Sequence, residues 1–350
     1  MAGSGVTAVR GRILTFTADP VEAGPDPSYR YVEDGLVVAT GGIITALGEA
    51  SVLLPALPAD AAVDHHPGKL VMPGFVDAHI HYPQTQVIGS YGAQLLEWLQ
   101  TYTFPVEETL RDPARADAVA HFFLDELIRN GTTTAAVYCT VHPESVEAFF
   151  AESERRDMRM IAGKVMMDRN APPGLLDTAE SGYRESETLL HRWHGRGRQL
   201  YAVTPRFALT STPAQLAAAG ALAAAHPTAY VQTHLSENLA EIATARSLYP
   251  ECRSYTDIYR RYGLLGPRSL YGHCIHLDDD EVALMAESRS VAIFCPTSNL
   301  FLGSGLFDMA RLRAGSVRVA LATDVGGGTS YSMLRTAAEA YKVLQMRGQS

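Results

Sequence analysis

From about Lys69 onward, short apolar runs rich in β-branched residues alternate with longer amphipathic segments, and this alternation limits the possible folds more than any other feature. Strand-like runs occupy 75–80, 132–138, 160–166, 200–204, 229–233, 269–273, 291–294 and 317–322. Helical periodicity fills most of the gaps, over 113–130, 143–156, 177–194, 213–225, 237–248 and 278–288, with a further helix at 333–346. Gly131 stands where a left-handed residue commonly ends a helix. Strands separated by helices predict a parallel sheet, and their number favours an α/β fold of the (β/α)8 TIM-type barrel class. Periodicity alone leaves a doubly wound open sheet as the alternative.

The first seventy residues read differently. Runs at 6–16, 36–40 and 43–47 look like strands, the last two joined by Gly41-Gly42 as a hairpin, and 53–62 reads as a connector. The expected organisation is a small β-sandwich-like domain over 1–70 and a barrel over 71–350. No run approaches the roughly 18 apolar residues of a membrane span, and the first twenty residues do not read as a secretory signal. The formal net charge is −9 and no basic stripe is present, which favours a small-molecule partner over nucleic acid or a membrane. Cys139, Cys252, Cys274 and Cys295 include no C-x-x-C pair and fit reduced thiols of a cytoplasmic protein.

The histidines carry more. In a barrel, chemistry gathers at the C-terminal ends of the strands. The first barrel strand runs into Asp77-Ala-His79-Ile-His81, and residues two apart on a strand share a face, so both imidazoles can reach one metal ion. Later strands end at His234, His273 and Asp324. A lone His at a strand end is more often a hydrogen-bonded core residue. Several such ends together match the three or four N/O ligands of a catalytic zinc site, with His79, His81, His234 and Asp324 as the favoured set. Glu237 follows His234 by three residues, at the expected start of a helix, where a carboxylate can exchange protons with a metal-activated water. His65, His66, His121, His191, His194 and His226 fall in the connector or in helical and turn segments and receive no role, and His276 is the weakest remaining candidate.

V-M-P-G-F-V-D-A-H-I-H at 71–81, T-H-L-S-E at 233–237, G-H-C at 272–274 and A-T-D-V-G-G-G at 322–328 resemble the amidohydrolase superfamily. Within it, Y-P-Q at 82–84, L-L-E-W-L-Q-T-Y-T-F-P at 95–105, G-K-V-M-M-D-R-N at 163–170, V-T-P-R-F at 203–207, C-P-T-S-N at 295–299 and S-Y-S-M at 330–333 resemble the guanine deaminases, from about residue 69 onward. The resemblance implies hydrolytic deamination at C2 of guanine, giving xanthine and ammonia. It implies one Zn2+ per subunit on His79, His81, His234 and Asp324, with Fe2+ or another divalent ion able to replace it. His273 would orient the attacking water or the tetrahedral centre, Glu237 would shuttle the proton, and Asp324 would assist. Gln84, Arg206 and Phe207 would hold the purine, bordered by His81, His234, Glu237 and Asp324. Trp98 and Phe104 would pack over the pocket. The fourth strand lacks the lysine that bridges two-metal members, and Lys164 lies on the third strand instead, which favours one metal. The alternatives are a mononuclear amidohydrolase acting on another aminated or chlorinated heterocycle and a non-catalytic interaction protein on the same scaffold. The family implies a homodimer. Family members continue with a C-terminal segment that returns to complete the small β domain, whereas this sequence stops at Ser350, either truncated or without that section; in the second case exposed strand edges are expected in 1–70.

Overall fold

The computed structural model describes residues 5–24, 28–92 and 94–349, and the chain separates into two compact units, Met1–Gly74 and Phe75–Ser350. The first unit is one four-stranded sheet built from β1 (Val6–Phe16), β2 (Tyr29–Thr40), β3 (Ile43–Glu49) and β4 (Ala62–Val71), in the order β3-β2-β1-β4. Gly41 and Gly42 both take positive φ, 58° and 81°, and make the two-residue hairpin that pairs Thr40 with Ile43. A short helix, Ala50–Leu53, packs its apolar side on Ala8, Leu36 and Val38, so a helix rather than a second sheet covers the core here. His65 and His66 lie on β4, not in a connector, and β4 is exposed along nearly its whole length.

The second unit holds β5 (Phe75–His81), β6 (Thr132–Tyr138), β7 (Arg159–Gly163), a two-residue β8 (Val165–Met166), β9 (Leu200–Pro205), β10 (Tyr230–Leu235), β11 (Ser269–His273), β12 (Val291–Phe294) and β13 (Arg318–Leu321). All of its strand pairs are parallel, and the spatial order follows the sequence from β5 to β13, with β8 pairing beside it onto β9. A doubly wound sheet reverses its order at a switch point, and this one does not, so the open-sheet alternative is set aside for a nearly closed eight-stranded α/β barrel. Several of the barrel helices start on side-chain caps. Asp112 accepts from the Ala114 N–H ahead of Pro113–Arg129, and Thr178, Thr212, Asn238, Asp278 and Ser332 do likewise for later helices. Between helices and strands, Phe123, Phe149, Phe150 and Trp193 form a buried aromatic layer.

Asp77 helps to close the barrel. Its Oδ1 accepts from the backbone N–H of Thr323 at 3.1 Å, and its Oδ2 from the Thr323 hydroxyl. The Asp324 N–H then donates to the His79 carbonyl at 2.9 Å. These bonds tie the first barrel strand to the segment that follows the last. Asp77→Ala is expected to leave three buried donors unpaired, two on Thr323 and the His79 N–H, and to destabilise the fold by about 2–4 kcal/mol, lowering the thermal midpoint by roughly 3–10 °C in a calorimetric scan. Asp77→Asn keeps an acceptor oxygen and is expected to lose less than half as much.

Candidate active site

The β5 strand turns Asp77, His79 and His81 to one buried side, as its two-residue period requires. His234 arrives from β10, His273 from the end of β11, and Asp324 from the loop after β13. Ser236, His273, Cys274 and Asp324 all take left-handed φ, between 50° and 73°. These are non-glycine residues at strand ends, where such backbone persists only if its surroundings hold it. The chain turns there so that side chains from separate strands converge.

His79 Nε2 and His81 Nε2 lie 3.2 Å apart, and His81 Nε2 and His234 Nε2 lie 3.3 Å apart. Asp324 Oδ1 is 3.4 Å from both His79 Nε2 and His81 Nε2. His234 donates its Nδ1–H to the Arg206 carbonyl at 2.7 Å, which leaves the lone pair on its Nε2 facing the others. Burial pushes the His81 and His234 imidazoles well below their usual range, and His79 below it, toward the neutral form a metal ion would need. Burial works to raise the Asp324 carboxyl, but His79, His273 and Ser298 hold it below its ordinary value. Two overlapping sets, His79 with His81 and His234, and His79 with His273 and Asp324, each bring their ligand atoms within 4.8 Å of one another. Neutral imidazoles beside a carboxylate are donors that could hold a divalent metal ion.

Gly272 makes room for this arrangement, because a Cβ there would stand 2.7 Å from His79 Cε1. Tyr138, at the end of β6, stacks on His81 with ring centres 4.5 Å apart. Lys164 lies between β7 and β8 and pairs with Asp177 at 2.5 Å and Glu185 at 3.6 Å, and β9 carries no lysine. Among the described residues one further His/Glu group, Glu187, His191 and His226, lies outside this site, where helix Ala179–Trp193 meets the end of helix Pro213–Ala225.

His273 stands beside the trio. Its Nδ1–H donates to Asn299 Oδ1 at 2.9 Å, and its Nε2 lies 3.3 Å from Glu237 Oε2 and 3.8 Å from Asp324 Oδ2. Burial alone would lower its pKa, but Glu237 and Asp324 raise it above the usual value. Glu237 Oε1 accepts from the Ser304 hydroxyl at 3.0 Å, and burial pushes its carboxyl up to about 7. Glu237 does not start the helix as its sequence position suggested. Asn238 caps helix Leu239–Leu248, and Glu241 accepts the N–H groups of both Glu237 and Asn238, which leaves Glu237 just outside the helix. His276 donates to the Ser304 carbonyl at 2.8 Å and so braces the loop that holds Glu237.

These groups open on a pocket lined also by Gln84, Leu95, Trp98, Leu99, Arg206 and Phe207. Gln84 sits on a 3-10 turn directly after β5, and Arg206 and Phe207 follow β9. Trp98 forms pocket wall, whereas Phe104 lies under the Arg206 guanidinium at 5.2 Å. Sequence reasoning missed Glu107. This buried carboxylate takes Gln84 Nε2 at 2.9 Å and Arg206 Nη1 at 2.6 Å. Its one signal was a charged residue in the apolar run F-P-V-E-E.

An amidohydrolase family model matches residues 70–349. The chain is 49% identical to the guanine deaminase of Escherichia coli strain K12 over 344 residues, 97% of this chain and 78% of that protein. A solved structure of E. coli guanine deaminase superposes with a TM-score of 0.95 at 49% identity, covering 98% of this chain and 79% of the other. The structure of guanine deaminase from C. acetobutylicum with guanine bound in its active site superposes with a TM-score of 0.89 at 27% identity, covering 99% and 81%.

Gly272→Ala is expected to displace the His79 ring. The purified variant should hold less than half the metal of wild type by elemental analysis and release it faster to a chelator. Unchanged metal content would contradict the packing role given to Gly272.

Proposed function

This chain belongs to the amidohydrolase family, and we propose that it is a guanine deaminase, hydrolysing guanine to xanthine and ammonia. One observation carries the reading. A set of His and Asp donors that could hold a metal ion, with Glu237 and His273 beside it, lines the same pocket as Arg206 and Gln84. The family is metal-dependent. His79, His81, His234 and Asp324 would hold the ion, zinc in the first instance, since His and Asp ligands do not distinguish divalent metals sharply. When bound, such an ion supplies an activated water at neutral pH.

The residues of the chain do the rest. Phe207 packs on the purine face, while Arg206 donates to the carbonyl oxygen and Gln84 accepts from the ring N–H. A purine held in this way presents C2, the carbon bearing the exocyclic amine, toward His273 and Glu237. Glu237 takes one proton from the attacking water to ring N3, and then carries the proton of the new C2 hydroxyl to the departing amine, so that ammonia leaves as the C2 carbonyl forms and N3 keeps its hydrogen. A carboxyl raised toward neutrality can both accept and return that proton. His273, held by Asn299, lies close enough to both carboxylates to orient the water and support the tetrahedral centre. Asp324 assists from its second oxygen. The homodimeric, cytoplasmic enzyme implied by the resemblance belongs to the same proposal. Among the described residues no helix is long and apolar enough to cross a membrane.

The test is ammonia and xanthine release over a panel of purines, pyrimidines and triazines. Guanine is expected to be the best substrate, with activity lost to a chelator and restored by Zn2+. Hydrolysis of a triazine or an adenosine-type compound without turnover of guanine would overturn the reading. Glu237→Gln is expected to keep its metal and to lose about 10²–10⁴-fold in kcat. Near-wild-type turnover in that variant would remove Glu237 from the proton path.

A further inference from the structure

We propose that Glu107 is a specificity-determining positioning residue, whose carboxylate fixes the hydrogen-bonding polarity of the pocket so that it reads a lactam edge, C=O beside N–H, and rejects an amidine edge. The inference rests on the guanine reading and deepens it.

A side-chain amide is ambiguous as a reader, because it can present either its oxygen or its nitrogen. A carboxylate is not, since it only accepts. Glu107 Oε1 takes Gln84 Nε2 at 2.9 Å, and Glu107 Oε2 takes Arg206 Nη1 at 2.6 Å. All three side chains are buried. Reversing the Gln84 amide would set two acceptor oxygens against each other out of water, so the nitrogen stays on Glu107 and the oxygen is left for the ligand. The space that oxygen occupies is kept open by Gly326, at φ 122°, where a Cβ would fall 1.9 Å from Gln84 Oε1. On the other side, the guanidinium lies over the Phe104 ring at 5.2 Å and gives one N–H to Glu107, leaving other donors for the pocket it lines. A single acceptor-only group thus sets an acceptor at Gln84 and donors at Arg206. That pattern complements the 6-oxo and N1–H of guanine and mismatches the 6-amino and unprotonated N1 of an aminated purine.

The probe is 2,6-diaminopurine, which keeps the reacting C2 amine and exchanges the lactam edge for an amidine. In wild type the ratio of kcat/KM for guanine to that for 2,6-diaminopurine is expected to exceed about 10³, as for sites built to hydrogen-bond one edge. In Glu107→Gln the amides at 84 and 107 can exchange donor and acceptor ends. The ratio is expected to fall at least about tenfold, with the guanine loss mainly in KM. Both substrates meet the same enzyme, so the ratio cancels the folded fraction. A purely structural role would depress both substrates together, and an unchanged ratio overturns the proposal. Glu107→Asp retains the two carboxylate oxygens and is expected to hold the ratio nearer wild type. If the Asp and Gln variants shift it equally, the carboxylate does not set the polarity and the proposal falls. Absence of guanine turnover in wild type would instead count against the functional reading itself.

Discussion

The site depends on one carboxylate that belongs neither to the candidate ligand set nor to the pocket wall. Asp77 grips Thr323 through backbone and hydroxyl, and the next residue, Asp324, is tied in turn to the His79 carbonyl. The sheet is thereby closed where its first and last strands meet, and the same bonds fix the spacing between His79 and Asp324. Burial pushes the Asp77 carboxyl up to about 7, against the pull of its three donors. The D-A-H-I-H run therefore does two jobs through its period of two. The residue before the histidine pair closes the barrel that the pair needs in order to converge with the later strands.

Around that junction, three neutral imidazoles point their nitrogens at one another beside a carboxylate. In the absence of a cation this arrangement leaves facing lone pairs poorly satisfied, and neutral rings are what a cation requires of its ligands. The outer contacts enforce the tautomer. The Arg206 carbonyl holds the Nδ1 proton of His234, and Asn299 holds that of His273. His273 differs from the other three because it looks onto Glu237 and the far oxygen of Asp324. A single barrel mouth thus holds histidines driven in opposite directions, three downward by burial and His273 upward by Glu237 and Asp324.

The sequence already showed much of this, and the physical reasons are local. His79 and His81 share a face because strands repeat every two residues, and His234, His273 and Asp324 stand where parallel strands end. Strand limits at 132–138, 269–273 and 291–294 coincide with the observed ones, because β-branched runs there meet clear breaks. What was not legible came from long-range pairing or from cap chemistry. Glu107 meets Arg206 across 99 positions in the chain, which no periodicity encodes. Glu237 looked helical until the Asn238–Glu241 capping box excluded it. The helical turns over 95–108 carry no regular apolar stripe and passed for a plain cover. The cover of the small domain, a short helix instead of a second sheet, depends on how Ala50 and Leu53 meet Leu36 and Val38, which only packing reveals.

Within 95–108 the backbone winds through helix Leu95–Trp98, a five-residue π turn at Leu99–Thr103 and helix Phe104–Glu108. A π turn carries one more residue per hydrogen-bonded ring than an α turn, so it stores slack in the winding. On the pocket wall Leu95 and Trp98 precede that slack and Leu99 opens it, and Glu107 follows it. Gain or loss of a single residue there can be absorbed by rewinding, rotating the wall relative to the carboxylate while the barrel strands keep their places. The fold thus separates a wall that can be rewound from a centre held by the barrel strands: a change of length in one short coil can reshape the pocket while the residues at the strand ends keep their positions.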